Sequence, residues 1–453
     1  MATTYLTRTS GTPTNALKWT FSAWVKIASI PNDTFLLDFY TDGNNRSQIG
    51  FQNSDKSIIV YEKVSGSTSQ LFQTTRIFKD NSGWYNIVVS CDRTLATAAD
   101  RTKVYINGVQ ETSFSTTPDY PAQNTNGIIN TAVGTLIGKY SDGALYFDGS
   151  MSHVHFVDGT AYPASTFGST DSTTGEWEIN TSPTVTYGNN GFFILKNDNV
   201  INDQSGNANN FTLGGGTLTK TEDCPDNVFA TNNPLDNYFY DSAFSNGNTT
   251  IVSSASTGKY SYGTTTFGIP DGKKIYCEVK MVAVSSGSLQ ARVGLISYPT
   301  TSATISVGST TYTYGYNTDS GNITTGNAGS SYGTAFALGD IMGIAIDTVN
   351  NKLYFSKNGT WQNSGDPTSG ATGTGAVSIA DLGTQSAANS GNYFLGFSDE
   401  GNTAGATLSW NFGNGYFGTT AVSSAGTEAS TPGIFEYDVP TNYQPLSTKG
   451  LNA

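Results

Sequence analysis

The chain has 453 residues, too many for one ordinary hydrophobic core, so two large domains fit its length. Its 22 Lys and Arg are scattered among 35 Asp and Glu, giving a formal charge of −13, and this argues against a nucleic-acid or acidic-membrane partner, because phosphate binding needs clustered cations. Only 13% of residues are charged, while 51 Gly, 25 Tyr and 24 Phe accompany abundant Ser, Thr and Asn, a mixture that suits strands and tight turns and nearly excludes long helices.

The N-terminal stretch "MATTYLTRTSGTPTNALKW" has no apolar signal core, and no run approaches the roughly 18 apolar residues of a membrane helix. The chain therefore reads as soluble, without a cleaved export signal. Strand patterns follow quickly: "KWTFSAWVKI", "DTFLLDFYT", "SQIGFQN", "SIIVYEKV", "GWYNIVVSCD", "TKVYINGVQ", "TLIGKY" and "DGSMSHVHFVDG". In the first, Phe21, Ala23 and Val25 share one face while Trp19 and Trp24 fall on opposite faces, which predicts a strand covered on both sides. Short strands separated by Gly, Asn and Asp predict an antiparallel β-sandwich. The Asn107-Gly108 pair supplies the positive φ of a two-residue hairpin turn.

Residues 216–236, "GTLTKTEDCPDNVFATNNPLD", lack periodicity and read as a linker. A second strand-rich block follows, through "KIYCEVKMVAV", "QARVGLIS", "TTYTYGY", "DIMGIAIDTVNNKLYFSKNG", "NYFLGFSD" and "ATLSWNFGNGYF". Its clearest unit is the hairpin of "IMGIAID" and "KLYFSKNG", joined at Asn350-Asn351, and "KLYFSKNGTWQ" repeats the design of "KVYINGVQE" far upstream. The low-complexity stretch "SGATGTGAVS" reads as a mobile surface loop. Of the three cysteines, Cys91 and Cys277 sit within strand patterns and read as buried thiols, and with Cys224 they make an odd count without metal-like spacing.

"WTFSAWVK", "GWYNIVVSCD", "KVYINGVQE" and "DGSMSHVHFVDGTAY" together resemble a laminin-G or concanavalin A-like lectin domain. The strand and "D-x-SGN-x-N" turn that often open such domains are missing before Trp19 and stand instead at 191–213, in "GFFILKNDNVINDQSGNANNFTL". The resemblance implies a first sandwich over residues 1–215 in circularly permuted order, with Phe192 to Leu195 pairing near the first strand. In the second block, "GKKIYCEVKM", "ALGDIMGIAIDTVNNKLYFSKNGTWQNSGDP", "YFLGFSD" and "LSWNFGNGYF" resemble a SPRY domain, itself a concanavalin-like sandwich, which implies a second domain over 237–453 with a C-terminal tail. The expected fold is thus all-β, two concanavalin A-like antiparallel sandwiches of the jelly-roll kind. The whole arrangement, with "YQPLSTKGLN" near its end, resembles virion-associated proteins of tailed phages, especially marine ones.

Catalytic signals are sparse. A glucanase of this class needs two carboxylates flanking the scissile bond, and the nearest match, Glu176 and Glu178 in "GEWEIN", lacks a third acid. Asp399 and Glu400 in "SDEGN" read as solvated turn residues. His153 and His155 would share a strand face, but nothing nearby completes a metal site. The laminin-G resemblance makes Asp38, Asp142, Asp148 and Asp158 candidate oxygen donors for calcium, although their spacing fixes no cage. A sugar site needs a ring face with polar groups beside it. Tyr312, Tyr314 and Tyr316 alternate on one face and are followed by Asn317, Asp319 and Asn322, with Trp361 as a further candidate. The alternative is that these tyrosines fill a sheet face or an oligomer contact.

These readings, with the phage resemblance, imply a non-enzymatic virion surface protein in a tail or head fibre or appendage. It would be made in the host cytoplasm, assemble as a homo-oligomer with other virion proteins, and present lectin-like sandwiches to host-surface glycan or protein. The alternatives are a capsid decoration or cement protein without a ligand and, less favoured, a glycan depolymerase.

Overall fold

The structure, a computed structural model, describes residues 3–196, 200–239, 242–253, 260–285, 287, 289–297, 306–383, 389–399, 405–423 and 433–453. Two compact units divide the chain, Met1–Lys220 and Thr221–Ala453. Both are built of antiparallel sheets facing each other across an apolar core, the β-sandwich expected of a sequence rich in Thr, Tyr, Phe and turn residues, and of the concanavalin A-like kind that the two resemblances imply. The only α-helix among the described residues is the short Thr448–Asn452, capped by the Ser447 hydroxyl, and no described helix is long and apolar enough to cross a membrane.

Unit 1 contains β1 (Tyr5–Thr9), β2 (Lys18–Ser29), β3 (Thr34–Asp42), β4 (Asn45–Phe51), β5 (Ser57–Val64), β6 (Ser67–Ile77), β7 (Tyr85–Asp92) and β8 (Thr102–Ile106). It continues with β9 (Val109–Gln110), β10 (Gly134–Ile137), β11 (Asp148–Asp158), β12 (Gly168–Thr170), β13 (Trp177–Ile179), β14 (Phe192–Ile194) and β15 (Thr212–Gly215). A seven-stranded sheet runs β15-β1-β10-β3-β4-β5-β6, and a six-stranded sheet runs β14-β11-β2-β7-β8-β9. Residues 192–215 therefore supply an edge strand to each sheet, β14 beside β11 and β15 beside β1.

The period of two along each strand decides what meets in the core. Trp19, Phe21, Ala23 and Val25 of β2 pack against Phe39, Ile49, Phe51 and Val60 of the opposite sheet. Only the end residues of β2 escape burial, because its other face is also covered. Val88 and Val157 are packed there with Phe167, Trp177 and Tyr187, which come from the segment that carries the β12–β13 hairpin. At the margin of the core Glu62 and Arg93 pair at 2.6 Å with both side chains buried.

In unit 2 the seven-stranded sheet takes the order Asn232–Phe239, Ser261–Thr265, Phe394–Asp399, Ala291–Ile296, Thr313–Asn317, Asn322–Thr325, Ala328–Ser331. The second sheet is centred on Lys274–Val284, flanked by Ile341–Asp347 and Ala406–Asn411. Residues 433–446 lie over the outer face of this second sheet, where Phe435, Val439 and Tyr443 pack on Tyr276, Ala345 and Tyr354. Residues 216–236, linker-like in composition, are packed at both ends. Leu218 rests on the core of unit 1, Phe229 is buried in that of unit 2, and a strand begins at Asn232.

The repeated hairpin is the same device in both units. Asn107 and Gly108 have φ of 48° and 78°, and Asn358 and Gly359 have 50° and 79°, each pair forming the two-residue turn that matches strand twist. At Asn350-Asn351 the connection is longer than a two-residue turn. Asp347 pairs with Lys352, Asn351 alone takes positive φ, and the Asp347 carboxylate accepts the Asn350 N–H at 2.9 Å. The stretch "SGATGTGAVS" is not a plain loop. It continues a 3₁₀ segment, Pro367–Thr372, into Val377–Ser378, which pairs with Lys352–Lys357. Cys91 and Cys277 are buried within strands, and Cys91, Cys224 and Cys277 are all free thiols.

Candidate functional site

The residues singled out in unit 2 do not form an open platform. Tyr314 and Tyr316 are buried in the core, where the Tyr316 hydroxyl donates to Thr334 O and the Tyr314 hydroxyl accepts from Ala380 N, both at 2.8 Å. The alternation was real, but this face of the strand is turned toward the opposite sheet, so neither ring can lie against a sugar. Tyr312 stands before the strand with φ of 63°, outside the alternation. Asn317 is half-buried and its amide donates to Thr324 Oγ1, while Asp319 is exposed on the following turn. Trp361 is half-buried and packs edge-on against Tyr276 and Tyr354, which makes it a cover for the outer cluster.

The other candidates are dispersed as well. Glu176 and Glu178 are exposed on and beside the β12–β13 hairpin, and the acid across from Glu176, Asp171, is taken up by the turn, where it accepts from Thr173 N and Thr174 N. Asp399 is not a solvated turn residue. It ends a strand, is 2% exposed, and accepts from Ser253 Oγ and Ala406 N, while Glu400 lies outside the described residues. His153 occupies a bulge in β11 with φ of 49°, and the two ring centres lie 6.5 Å apart with the planes tilted by 41°. His153 Nδ1 meets Ser152 Oγ, and His155 Nδ1 meets the Tyr187 hydroxyl, both at 2.8 Å. Burial pulls the His153 imidazole down to about 4, which keeps it neutral.

The four aspartates named for calcium lie in separate surroundings. Asp158 is buried and accepts from Thr14 N, Asn15 N, Asn130 Nδ2 and Asn190 N, a knot joining four segments of chain. Asp148 accepts from Ser29 Oγ, and Asp142 is exposed. No three His, Cys, Asp or Glu side chains among the described residues are grouped to hold a metal.

Asp38 is different, because strand register surrounds it with binding-type side chains. On β3 to β5 the core takes Leu37, Phe39, Ile49, Ile58 and Val60, so alternation sends Asp38, Tyr40, Arg46, Gln48, Tyr61 and Lys63 to the outer face. Cross-strand pairing arranges them in two rows, Asp38–Gln48–Tyr61 and Tyr40–Arg46–Lys63, about 7 Å apart. The loop after β10 adds Tyr140 and Ser141. Ser141 donates its N–H and its hydroxyl to Asp38 Oδ2 at 2.8 and 3.0 Å, which anchors that loop to the sheet.

Arg46 lies between two rings, with its guanidinium carbon 6.0 Å from the centre of Tyr61 and 5.3 Å from that of Tyr140, and it donates to the Tyr140 hydroxyl. Tyr40, Tyr61, Tyr140, Arg46 and Lys63 are half-buried, whereas Asp38 beneath them is 0% exposed. Burial pushes the Asp38 carboxyl up to about 6 against the opposing pull of Ser141, Gln48 and Arg46. Asp38 Oδ1 and Arg46 Nε are buried without a hydrogen-bond partner. Sequence reading picked out Asp38 only as an oxygen donor and missed the rest of the face, because residues 38, 46, 61 and 140 meet only through register.

Residues 2–165 match the family model described as the concanavalin A-like lectin/glucanases superfamily, and residues 274–380 match the SPRY domain model. A search of the curated proteins finds no match. Among solved structures the chain is similar to the SPRY domain of human HERC1, at 17% identity and a TM-score of 0.30, over 40% of this chain and 96% of that one. It is similar to another human SPRY domain at 18% identity and a TM-score of 0.27, over 36% of this chain and 90% of that one. A third is the native heptameric SAP-like pentraxin from Limulus polyphemus, at 15% identity and a TM-score of 0.29, over 41% of this chain and 89% of that one. The chain therefore carries a concanavalin A-like lectin/glucanase domain followed by a SPRY domain.

Proposed function

We propose that the protein is a non-enzymatic, lectin-like binding protein whose first sandwich takes a glycan on the outer face of its seven-stranded sheet. The observation that carries this reading is the face itself. Tyr40, Tyr61 and Tyr140 stand beside Arg46 and Lys63 on one sheet face, so ring surface for pyranose C–H groups adjoins donors for hydroxyls. Arg46 is held between two rings before any ligand arrives, which lowers the ordering cost of binding. Asp38 acts as a positioning residue, through Ser141, on the loop that carries Tyr140.

The setting we propose is the surface of a tailed-phage particle, in a tail or head appendage built from copies of this chain with other virion proteins, facing host-surface glycan or protein. Its support is the resemblance of the whole arrangement to phage virion proteins. Antibody labelling of purified particles at projecting fibres would agree with it. A regular pattern over the head would favour a decoration role, and unlabelled particles would remove the virion setting.

The test of the binding reading is a glycan array probed with the wild type and with Tyr61→Ala, followed by chromatography of the sugars recovered. Binding that Tyr61→Ala weakens, with the sugar recovered intact, is the expected result. Shortened sugar would assign hydrolysis instead, and binding unaffected by Tyr61→Ala would remove the glycan from this face.

A further inference from the structure

A second feature of unit 1 lies at the sheet edge, away from the tyrosine face. β1 and β15 pair as far as Thr7 and Thr212, then separate. The gap is a groove of about 420 Å³ lined by Thr7, Arg8, Thr9, Ala208, Asn209, Asn210 and Thr212. Among the described residues no carboxylate lines it.

Arg8 is the charged group of this groove, and it is half-buried without an ion-pair partner among the described residues. Its side chain is fixed from three sides. Nη1 donates to Asn190 O at 3.0 Å, Nη2 donates to Asn209 Oδ1 at 2.7 Å, and the guanidinium lies 5.9 and 5.8 Å from the ring centres of Phe192 and Phe211. A guanidinium has five N–H donors, so fixing it with two leaves donors to spare. The nearest influential carboxylate, Asp203, has its oxygens occupied by Phe193 N, Ser205 N, Ser205 Oγ and Asn209 N. At the groove the Asn210 Nδ2 group makes no side-chain hydrogen bond among the described residues, whereas Thr7 and Thr9 alternate with Arg8 along β1 and turn their side chains to the other face of the sheet.

We infer that this groove is a binding site for a small oxyanion, a carboxylate or sulfate group, received by Arg8 with Asn210 as a supporting donor. An immobilised cation with spare donors, in a groove that adds the Asn210 amide and no acid among the described residues, is complementary to a planar or tetrahedral anion. The site is independent of the tyrosine face, and substitutions at Tyr61 leave it unchanged.

The experiment is calorimetric titration of the full chain with sodium glucuronate, sodium sulfate and glucose. Both anions are expected to bind and glucose is not, and Arg8→Gln is expected to weaken anion binding about tenfold, the loss of one charge-assisted contact. Equal affinity for the two anions would assign the site to a bare oxyanion, and preference for glucuronate to an acidic sugar. Because Arg8 also packs on two rings, Asn210→Ala at an exposed position serves as the second variant, expected to weaken binding about threefold. Glucose binding as tightly as glucuronate, or anion affinity unchanged in a folded Arg8→Gln or in Asn210→Ala, would overturn the inference.

Discussion

The Glu278 carboxylate takes the backbone N–H of Glu436, 158 residues further along the chain, at 2.9 Å. Its other donors are Tyr437 N, the Tyr276 hydroxyl and Asn411 Nδ2, so one buried acid holds residues 433–446 against the outer face of the sheet.

Burial pushes the Glu278 carboxyl up to about 7, despite the four donors that favour its ionised form. A folded-state value above the unfolded one means that the folded state holds the proton more tightly. The contribution is complete below the unfolded value and is lost as pH rises through the folded one. Unit 2 is expected to lose about 3 kcal/mol from this group between roughly pH 4.5 and 7. Urea midpoints measured across that range should fall for the wild type and stay flatter for Glu278→Gln; parallel profiles would contradict the assignment.

The histidines in unit 1 carry the opposite sign. His153 is pulled down to about 4, and His155, stacked on Phe193 at 3.9 Å between ring centres, is driven well below its ordinary range, both chiefly by burial. Their stabilising contribution is present above the unfolded value near 6.5 and is lost as pH falls through the folded values. Relative to the wild type, His153→Gln should remove about 3 kcal/mol of acid sensitivity between roughly pH 6.5 and 4, read from acid unfolding followed by tryptophan fluorescence.

Arg93→Met should cost about 3 to 5 kcal/mol, because Glu62 would remain buried without its cation. Burial alone would raise the Glu62 carboxyl, and it is Arg93, aided by Ser69 and Ile128, that brings it below its ordinary value. The double variant Arg93→Met/Glu62→Leu should recover part of that loss, and chemical denaturation of the pair and of each single variant measures the coupling. A loss under about 1 kcal/mol in Arg93→Met would mean that Glu62 finds other compensation.

Gly108→Ala should destabilise unit 1 by about 1 to 3 kcal/mol, from left-handed backbone and from the added methyl. A Cβ there would come within 2.3 Å of the Trp177 ring, whereas at Gly359 it would meet the Tyr437 ring at 2.7 Å. Thermal melts of both variants should rank Gly108→Ala as the more harmful.

The Asn-Gly turns, the strands around them and the buried cysteines are local matters, and the sequence determined them. Only Gly and Asn enter positive φ cheaply, and period-two patterns of Val, Ile, Tyr and Phe form strands wherever one face is covered. Alternation also grouped Tyr314 with Tyr316, but a period cannot say which face meets the opposite sheet, and tertiary packing turned both rings inward. The same limit hid the tyrosine face, since Asp38, Arg46, Tyr61 and Tyr140 become neighbours only through the register of β3, β4 and β5 and the loop after β10. Register depends on all the pairings of a sheet at once, so tertiary structure alone decided which polar groups were buried, which were paired, and which were left facing outward.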